Sequence, residues 1–344
     1  MSNVQIRPER LVDGFGRVAT DLRVSLTDRC SLRCTYCMPP EGLPWLPREE
    51  MLTDDEMVRL VRIAVELGVT EVRLTGGEPL LRPSVVDLVA RLAQIRPRPR
   101  LSLTTNGLLL ARYAEPLSEA GLDRVNVSLD TLDRDRFRQI TFRDRHTDVL
   151  AGLGAAARAG LTPVKVNTVL LRDINNDEAV PLLGWALAQG YELRFIEQMP
   201  LDPQHGWDRT RMVTADEIYQ AVSEVYTLEP EPDRGSAPAE TWQVLDGPDR
   251  EHWACRPGRV GIIASVTRPF CGDCDRVRLT ADGQVRNCLF AREESDLRSA
   301  LRAGASDDDL AARFVTAMAG KRAGHGIDDP NFLQPTRPMS AIGG

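Results

Sequence analysis

Six of the seven cysteines form two incomplete sets of metal ligands. The first set lies in CSLRCTYC, residues 30–37, which brings Cys30, Cys34 and Cys37 together. Thiolates are soft ligands that suit zinc, copper(I) or iron–sulfur clusters. Three of them without a neighbouring fourth cysteine suggest a 4Fe-4S cluster with one iron left open, because a working metal keeps a free position. The alternative is a zinc site completed by a distant histidine or by Cys255. The second set, Cys271, Cys274 and Cys288, lies in FCGDCDRVRLTADGQVRNCLF and opens with the C-x2-C of a zinc knuckle. It too lacks a fourth cysteine. A turn at Asp282-Gly283 makes this stretch a hairpin that returns Cys288 towards the pair. Two such triplets in one chain suggest two clusters, each with an open iron. His146, His205, His252 and His325 have no ligand-like spacing to either set, and Cys255 reads as a small buried apolar residue.

The elements that must position these residues follow a strand-helix rhythm. Strand candidates occupy residues 22–26, 69–75, 100–105, 124–129, 162–170 and 191–197, with amphipathic helical patterns between them. DDEMVRLVRIAVELG is one such pattern, with an acidic first turn and Gly68 at its end. Six repeats imply an α/β fold with a parallel sheet, either open and doubly wound or a partial barrel, with the ligand at the carboxyl ends of the strands. The rhythm stops near residue 230 at EPEPDRGSAPAE, a linker or exposed loop. Residues 1–230 and 231–344 are therefore read as two domains.

Composition narrows the function classes. A chain of 344 residues, 42% hydrophobic, exceeds what one compact core usually holds. No stretch approaches the ~18 apolar residues of a membrane span, and the N-terminus lacks the apolar run of a signal peptide, so a cytoplasmic protein is expected. In that compartment cysteines serve metals or catalysis. The net charge of −7 argues against a general nucleic-acid or membrane binder. Of the 43 basic residues only Lys165 and Lys321 are lysines. Lys165 interrupts the apolar run LTPVKVNTVLL, where a charge needs a partner.

CSLRCTYC resembles the cluster motif of the radical S-adenosylmethionine superfamily, and TGGEPLLR its glycine-rich methionine loop. LVDGFGRVATDLRVSLTDRC, CTYCMPPEG, LRFIEQMP, the second cysteine stretch and the terminal PMSAIGG narrow the resemblance to the GTP 3′,8-cyclase family of molybdenum cofactor biosynthesis, over nearly the full length. The resemblance implies a partial (β/α)6 TIM-type barrel whose open side is covered by a C-terminal domain, two 4Fe-4S clusters and S-adenosylmethionine. It implies that the first cluster cleaves S-adenosylmethionine to a 5′-deoxyadenosyl radical, which takes hydrogen from the 3′ carbon of the GTP ribose. The new radical attacks carbon 8 of guanine, giving (8S)-3′,8-cyclo-7,8-dihydroguanosine 5′-triphosphate, while the second cluster holds the guanine. By resemblance Tyr36, Gly77, Ser128 and Met199 contact S-adenosylmethionine, with Gly76 and Gly77 letting the main chain approach the methionine and Glu78 able to accept from its ammonium group. Arg23, Arg73, Thr104, Lys165, Arg276 and Arg278 contact GTP by the same resemblance, and Gly343 and Gly344 thread into the active site. Implied partners are an electron donor and, by product transfer, cyclic pyranopterin monophosphate synthase, with a homodimer as the oligomer to test.

Ser31 and Asp275 replace the family's usual asparagines, and Asp275 puts a negative charge near the nucleotide. GLGAAARAG, residues 152–160, mimics a dinucleotide loop but lies in a helical pattern, and no G-x-x-x-x-G-K-[ST] loop is present. The rivals are a twin-cluster peptide maturase and a zinc-dependent binding module.

Overall fold

The computed structural model describes residues 10–343 apart from 233, 255 and 256. Cys255 and Gly344 thus lie outside the described residues. One twelve-stranded sheet organises the molecule. Its strands are β1 (Asp21–Ser25), β2 (Glu71–Thr75), β3 (Arg100–Thr105), β4 (Arg124–Ser128), β5 (Lys165–Val169), β6 (Glu192–Ile196), β7 (Thr227–Pro230), β8 (Glu240–Asp246), β9 (Gly258–Ile263), β10 (Arg276–Leu279), β11 (Gln284–Arg286) and β12 (Ser295–Asp296). The first six match the strand candidates and lie side by side in parallel, as strand-helix repeats require.

The parallel run is longer than six strands. β9 joins β6 and β10 joins β1, both in parallel, so eight parallel strands curve round an open side. The sheet continues through residue 230 without a break, because β8 pairs with β9 and β7 with β8. β9 and β10 sit at opposite edges of the parallel run. Residues 264–275, which join them, therefore cross the open side, and they carry Cys271 and Cys274.

Helices α1 (Asp54–Glu66), α2 (Val85–Ala93), α3 (Leu110–Glu119), α4 (Arg134–Thr141), α5 (His146–Arg158) and α6 (Ala179–Gln189) follow the first strands, and α7 (Ala215–Ser223), α8 (Arg298–Arg302), α9 (Asp307–Ala319) and α10 (Met339–Ile342) come later. The α1 pattern folds as its sequence dictates. Thr53 and Glu56 cap each other reciprocally, an arrangement typically worth about 1 kcal/mol. Met57, Leu60, Val61 and Ala64 face the sheet, and Gly68 leaves the helix at φ +100°. GLGAAARAG lies mostly in α5, where a Cβ on Gly152 would come 2.5 Å from the Gly107 carbonyl. Its small residues allow helix packing.

Side-chain alternation along the strands decides what faces the interior. Valine and leucine point out to the helices, while polar residues line the inside in register: Arg278 beside Arg23, Arg23 beside Arg73, Thr104 beside Asn126, and Asn167 beside Arg194.

Candidate active site between two cysteine triplets

One cavity is lined by all six clustered cysteines. Cys30, Cys34 and Cys37 follow the carboxyl end of β1. Cys274 precedes β10, and Cys288 follows the antiparallel β11, which places both at the amino end of β10. Since β1 and β10 are parallel, the triplets approach the cavity from opposite ends of the sheet.

The thiols of the first triplet are neutral in the protein alone. Burial pushes Cys30 up to about 11 and Cys37 up to about 12, and raises Cys34 as well. A bound metal has to displace these protons. In the second triplet burial raises Cys271. The same effect opposes ionisation of Cys274, but Arg276 and Lys321 overcome it and lower that thiol. Among the described residues, the His/Cys/Asp/Glu set whose ligand atoms all come within 4.8 Å is the exposed Asp249, Glu251 and His252, and neither cysteine triplet is drawn in so far. His325 lies beside the second triplet, but its Nε2 bonds the Ser265 carbonyl at 3.0 Å and its Nδ1 accepts from Ile327 N–H at 3.1 Å. Both ring nitrogens are used, so it is no zinc ligand.

Sulfur-directed donors surround each triplet. Cys30 receives the Leu32 N–H and faces the Asn106 amide. Cys271 receives the His325 N–H, and Lys321 Nζ lies 3.3 Å from Cys274 Sγ while donating to the Cys274 and Arg276 carbonyls at 2.8 and 2.9 Å. Lys321 is 4% exposed. Sequence reading had singled it out only as one of two lysines. Lys321→Met keeps most of the volume but removes a buried cation from a thiolate site. It is expected to shed the second cluster and leave half the iron, read by iron analysis after anaerobic reconstitution.

Arg23, Arg73, Thr104, Arg276 and Arg278 all line the cavity. Asp21 is the acid among the arginines, held below the ordinary carboxylate range because Arg23, Arg73, Arg276 and Arg278 overcome the opposing effect of burial. Burial in turn pushes Arg278 down to about 10. The Nε atoms of Arg23, Arg73 and Arg276 are buried without a partner, as are Asn126 Oδ1 and Asn167 Oδ1. Orphaned buried donors are costly, and an anionic ligand with several oxygens would satisfy the three Nε–H groups, whereas the two amide oxygens are acceptors and call for a donor. Arg194, absent from the sequence-based candidates, belongs to this set: it lines the cavity, and burial pushes it down to about 10 against the pull of Glu192. Its register beside Asn167 on an apolar strand was the available signal.

Lys165 does not line the cavity, although the buried charge had been assigned a phosphate partner. Its ammonium lies 2.9 Å from Glu192 Oε2, and Arg259 and Glu231 extend the pair outward. The chain itself supplies the partner, because β5 and β6 place Lys165 directly beside Glu192. Asp275 is likewise occupied, accepting from Thr20 Oγ1 at 2.7 Å and Ser236 Oγ at 3.0 Å. Ser31 takes the Asn106 amide at 3.1 Å.

Tyr36, Gly77, Ser128 and Met199 line the opposite half of the cavity. Tyr36 donates to Asp130 at 2.7 Å, and burial raises Asp130 to about 6. The glycines have a reason within the chain: a Cβ on Gly76 would sit 2.5 Å from the Thr27 carbonyl, and one on Gly77 2.5 Å from that of Asp28. Their first role is to let two loops touch. Glu78 is neither solvated nor free. It is fully buried, accepts from Leu80 N–H, Thr105 Oγ1 and Asn106 N–H at 3.0, 2.8 and 2.7 Å, and is raised by burial to about 7.

Comparison with known proteins agrees with this geometry. The family model described as Radical SAM superfamily matches residues 24–186, and that described as Molybdenum Cofactor Synthesis C matches residues 191–327. A GTP 3′,8-cyclase from Streptomyces coelicolor is 63% identical over 97% of this chain and 96% of its own length. The chain belongs to the GTP 3′,8-cyclase family. Another relative of that name, from Mycolicibacterium smegmatis, is 59% identical over 97% of this chain and 92% of its own. The crystal structure of Streptococcus suis SuiB bound to S-adenosylmethionine is 12% identical and superposes with a TM-score of 0.55 over 83% of this chain and 66% of that one. It shares the fold: a partial barrel, not a closed one.

Proposed function

We propose that this protein is a radical S-adenosylmethionine enzyme that converts GTP to (8S)-3′,8-cyclo-7,8-dihydroguanosine 5′-triphosphate, the first step of molybdenum cofactor biosynthesis. The observation that carries the reading is a single cavity with an open-sided cysteine triplet at each end and five arginines between them, three of them buried, against relatives of that name at 59–63% identity. Cys30, Cys34 and Cys37 would hold one 4Fe-4S cluster and Cys271, Cys274 and Cys288 the other. When bound, the first cluster with S-adenosylmethionine supplies the radical that abstracts hydrogen from the ribose 3′ carbon.

The chain's own residues do the positioning. Tyr36, Gly77, Ser128 and Met199 would hold S-adenosylmethionine at the carboxyl ends of the strands, with Tyr36 oriented by Asp130. Arg23, Arg73, Arg194, Arg276 and Arg278, with Thr104, would meet the nucleotide, the guanidiniums neutralising phosphate charge. The boundary near residue 230 is retained as a division of labour, with cleavage residues before it and most guanine-side residues after it. An electron donor, product transfer to cyclic pyranopterin monophosphate synthase, a cytoplasmic location and a homodimer complete the proposal. Among the described residues, no helix is long and apolar enough to cross a membrane.

The test is the mass of 5′-deoxyadenosine formed from GTP deuterated at the ribose 3′ carbon. Deuterium in that product supports the reading. Undeuterated product formed equally without GTP removes GTP as substrate and favours the peptide-maturase rival.

Lys165 joins the nucleotide site only if phosphate replaces Glu192 as its partner. Burial and Arg194 push its ammonium down to about 8, with Glu192 opposing and Arg124 assisting. The charged form is therefore present below pH 8 and lost above it. The KM for GTP is expected to rise as pH increases through 8, and Lys165→Arg to remove that rise. A wild-type KM that stays flat from pH 7 to 9 excludes Lys165 as a phosphate contact.

A further inference from the structure

The stretch EPEPDRGSAPAE, expected from its composition to be a linker or an exposed loop, is the turn of the β7–β8 hairpin. Its described residues fold onto the second triplet. The Ala237 N–H bonds the Arg234 carbonyl at 3.1 Å and turns the chain, and Pro238 lines the cavity. The Ser236 carbonyl accepts from Arg276 Nη2 at 2.7 Å, while the Ser236 hydroxyl donates to Asp275 Oδ2 at 3.0 Å. Thr20 donates to the same oxygen at 2.7 Å, which ties the loop to the start of β1. Phe270 completes the seat. Its ring lines the cavity, with the Arg276 guanidinium 4.5 Å and the Arg234 guanidinium 5.7 Å from its centroid. Arg234 and Arg268 both pair with Glu240 on β8, at 3.4 and 3.1 Å. Arg276 is 8% exposed, and its Nε is left without a partner.

We propose that the β7–β8 loop is a wall of the nucleotide site, in which Ser236 and Phe270 are positioning residues that hold Arg276 ready for an anionic oxygen of the nucleotide. The inference rests on the reading of Arg276 as a GTP contact. A free arginine has a long stem and many rotamers, and ordering it opposes binding. Here the ring supports the guanidinium and the Ser236 carbonyl takes one of its edges, so the group is fixed before a ligand arrives and Nε–H remains to be satisfied. Asp275 acts one step further out. Its carboxylate holds the Ser236 hydroxyl against Thr20, so the charge that departs from the family's usual asparagine serves to fasten the wall. An asparagine oxygen accepts the same two bonds, and either side chain therefore suits the position.

The experiment is equilibrium dialysis of GTP against the full-length, anaerobically reconstituted protein, with iron analysis to establish that both clusters are retained. Phe270→Leu keeps an apolar side chain but removes the ring, and should raise the Kd for GTP about tenfold. In an Arg276→Met background the same substitution should change nothing further, because the ring acts through the guanidinium. Asp275→Ala should weaken binding about fivefold, and Asp275→Asn should restore it. Ser236→Ala, remote in sequence from the cysteines, should weaken binding in the same direction, and it decides the matter if the substitutions beside Cys271 and Cys274 lose iron. An unchanged Kd in Phe270→Leu and Ser236→Ala, an undiminished effect of Phe270→Leu in the Arg276→Met background, or an Asp275→Asn variant as weak as Asp275→Ala overturns the proposal. Wild-type protein that binds no GTP overturns the reading of the site and this proposal with it.

Discussion

Replacing Cys271, Cys274 and Cys288 together with alanine is expected to abolish ring closure while S-adenosylmethionine cleavage continues. Replacing Cys30, Cys34 and Cys37 should abolish both. The asymmetry follows from geometry: the two triplets line one cavity from opposite ends of the sheet, with S-adenosylmethionine candidates at the first and arginines crowding the second. On the proposed reading, loss of the second triplet leaves Tyr36, Gly77, Ser128 and Met199 intact but removes what would anchor the base. Positioning is worth effective molarities of about 10⁵ M or more, so cyclised product should fall at least about a thousandfold. The measurement is paired chromatography of 5′-deoxyadenosine and cyclised nucleotide. Equal loss of both products in the second-triplet variant would falsify the division of roles.

Gly343→Ala is expected to lower cyclisation about a hundredfold or more with both clusters retained. Gly343 has φ +85°, which an alanine adopts only with strain, and a Cβ there would meet Thr75 Oγ1 at 2.6 Å and Ser25 Cβ at 3.0 Å. These atoms belong to β1 and β2, so the neighbours have little room to give. The displaced residue carries the carbonyl that Arg278 donates to, and a misplacement of about 1 Å at such a contact costs about a hundredfold. Removing Gly343 and Gly344 outright should have the same effect. Iron content and the visible spectrum separate this result from cluster loss, and normal cyclisation in either variant would show that the tail has no part in the reaction.

The sequence by itself determined the chemistry and the repeat. Cysteine spacing needs no long-range information, because three thiols within a few residues bind as a local unit, and CSLRCTYC therefore read as a cluster loop before any fold was known. Strand-helix periodicity is equally local, and the six strands lie where their apolar runs placed them. Arg23, Arg73, Arg276 and Arg278 were nominated by the family resemblance, and alternation along a strand, which sends every second side chain inward, agrees with that nomination.

Tertiary structure decided which groups meet and which are already satisfied. The rule that ligands gather at carboxyl strand ends located the first triplet but not Cys274 and Cys288, since it cannot foresee β10 joining β1 in parallel across the open side. Lys165 called for a counter-charge, and only the register of β5 against β6 shows that Glu192 provides one. Glu78 and the Gly76–Gly77 pair had looked like ligand contacts, yet the chain uses them first, one to hold Thr105 and Asn106 and the other to let a loop pass. Arg194 and Lys321 carry no motif at all. Their importance comes from pairings between residues distant in sequence, which packing alone creates: local pattern encodes what a residue can do, whereas its partner depends on how the whole sheet closes.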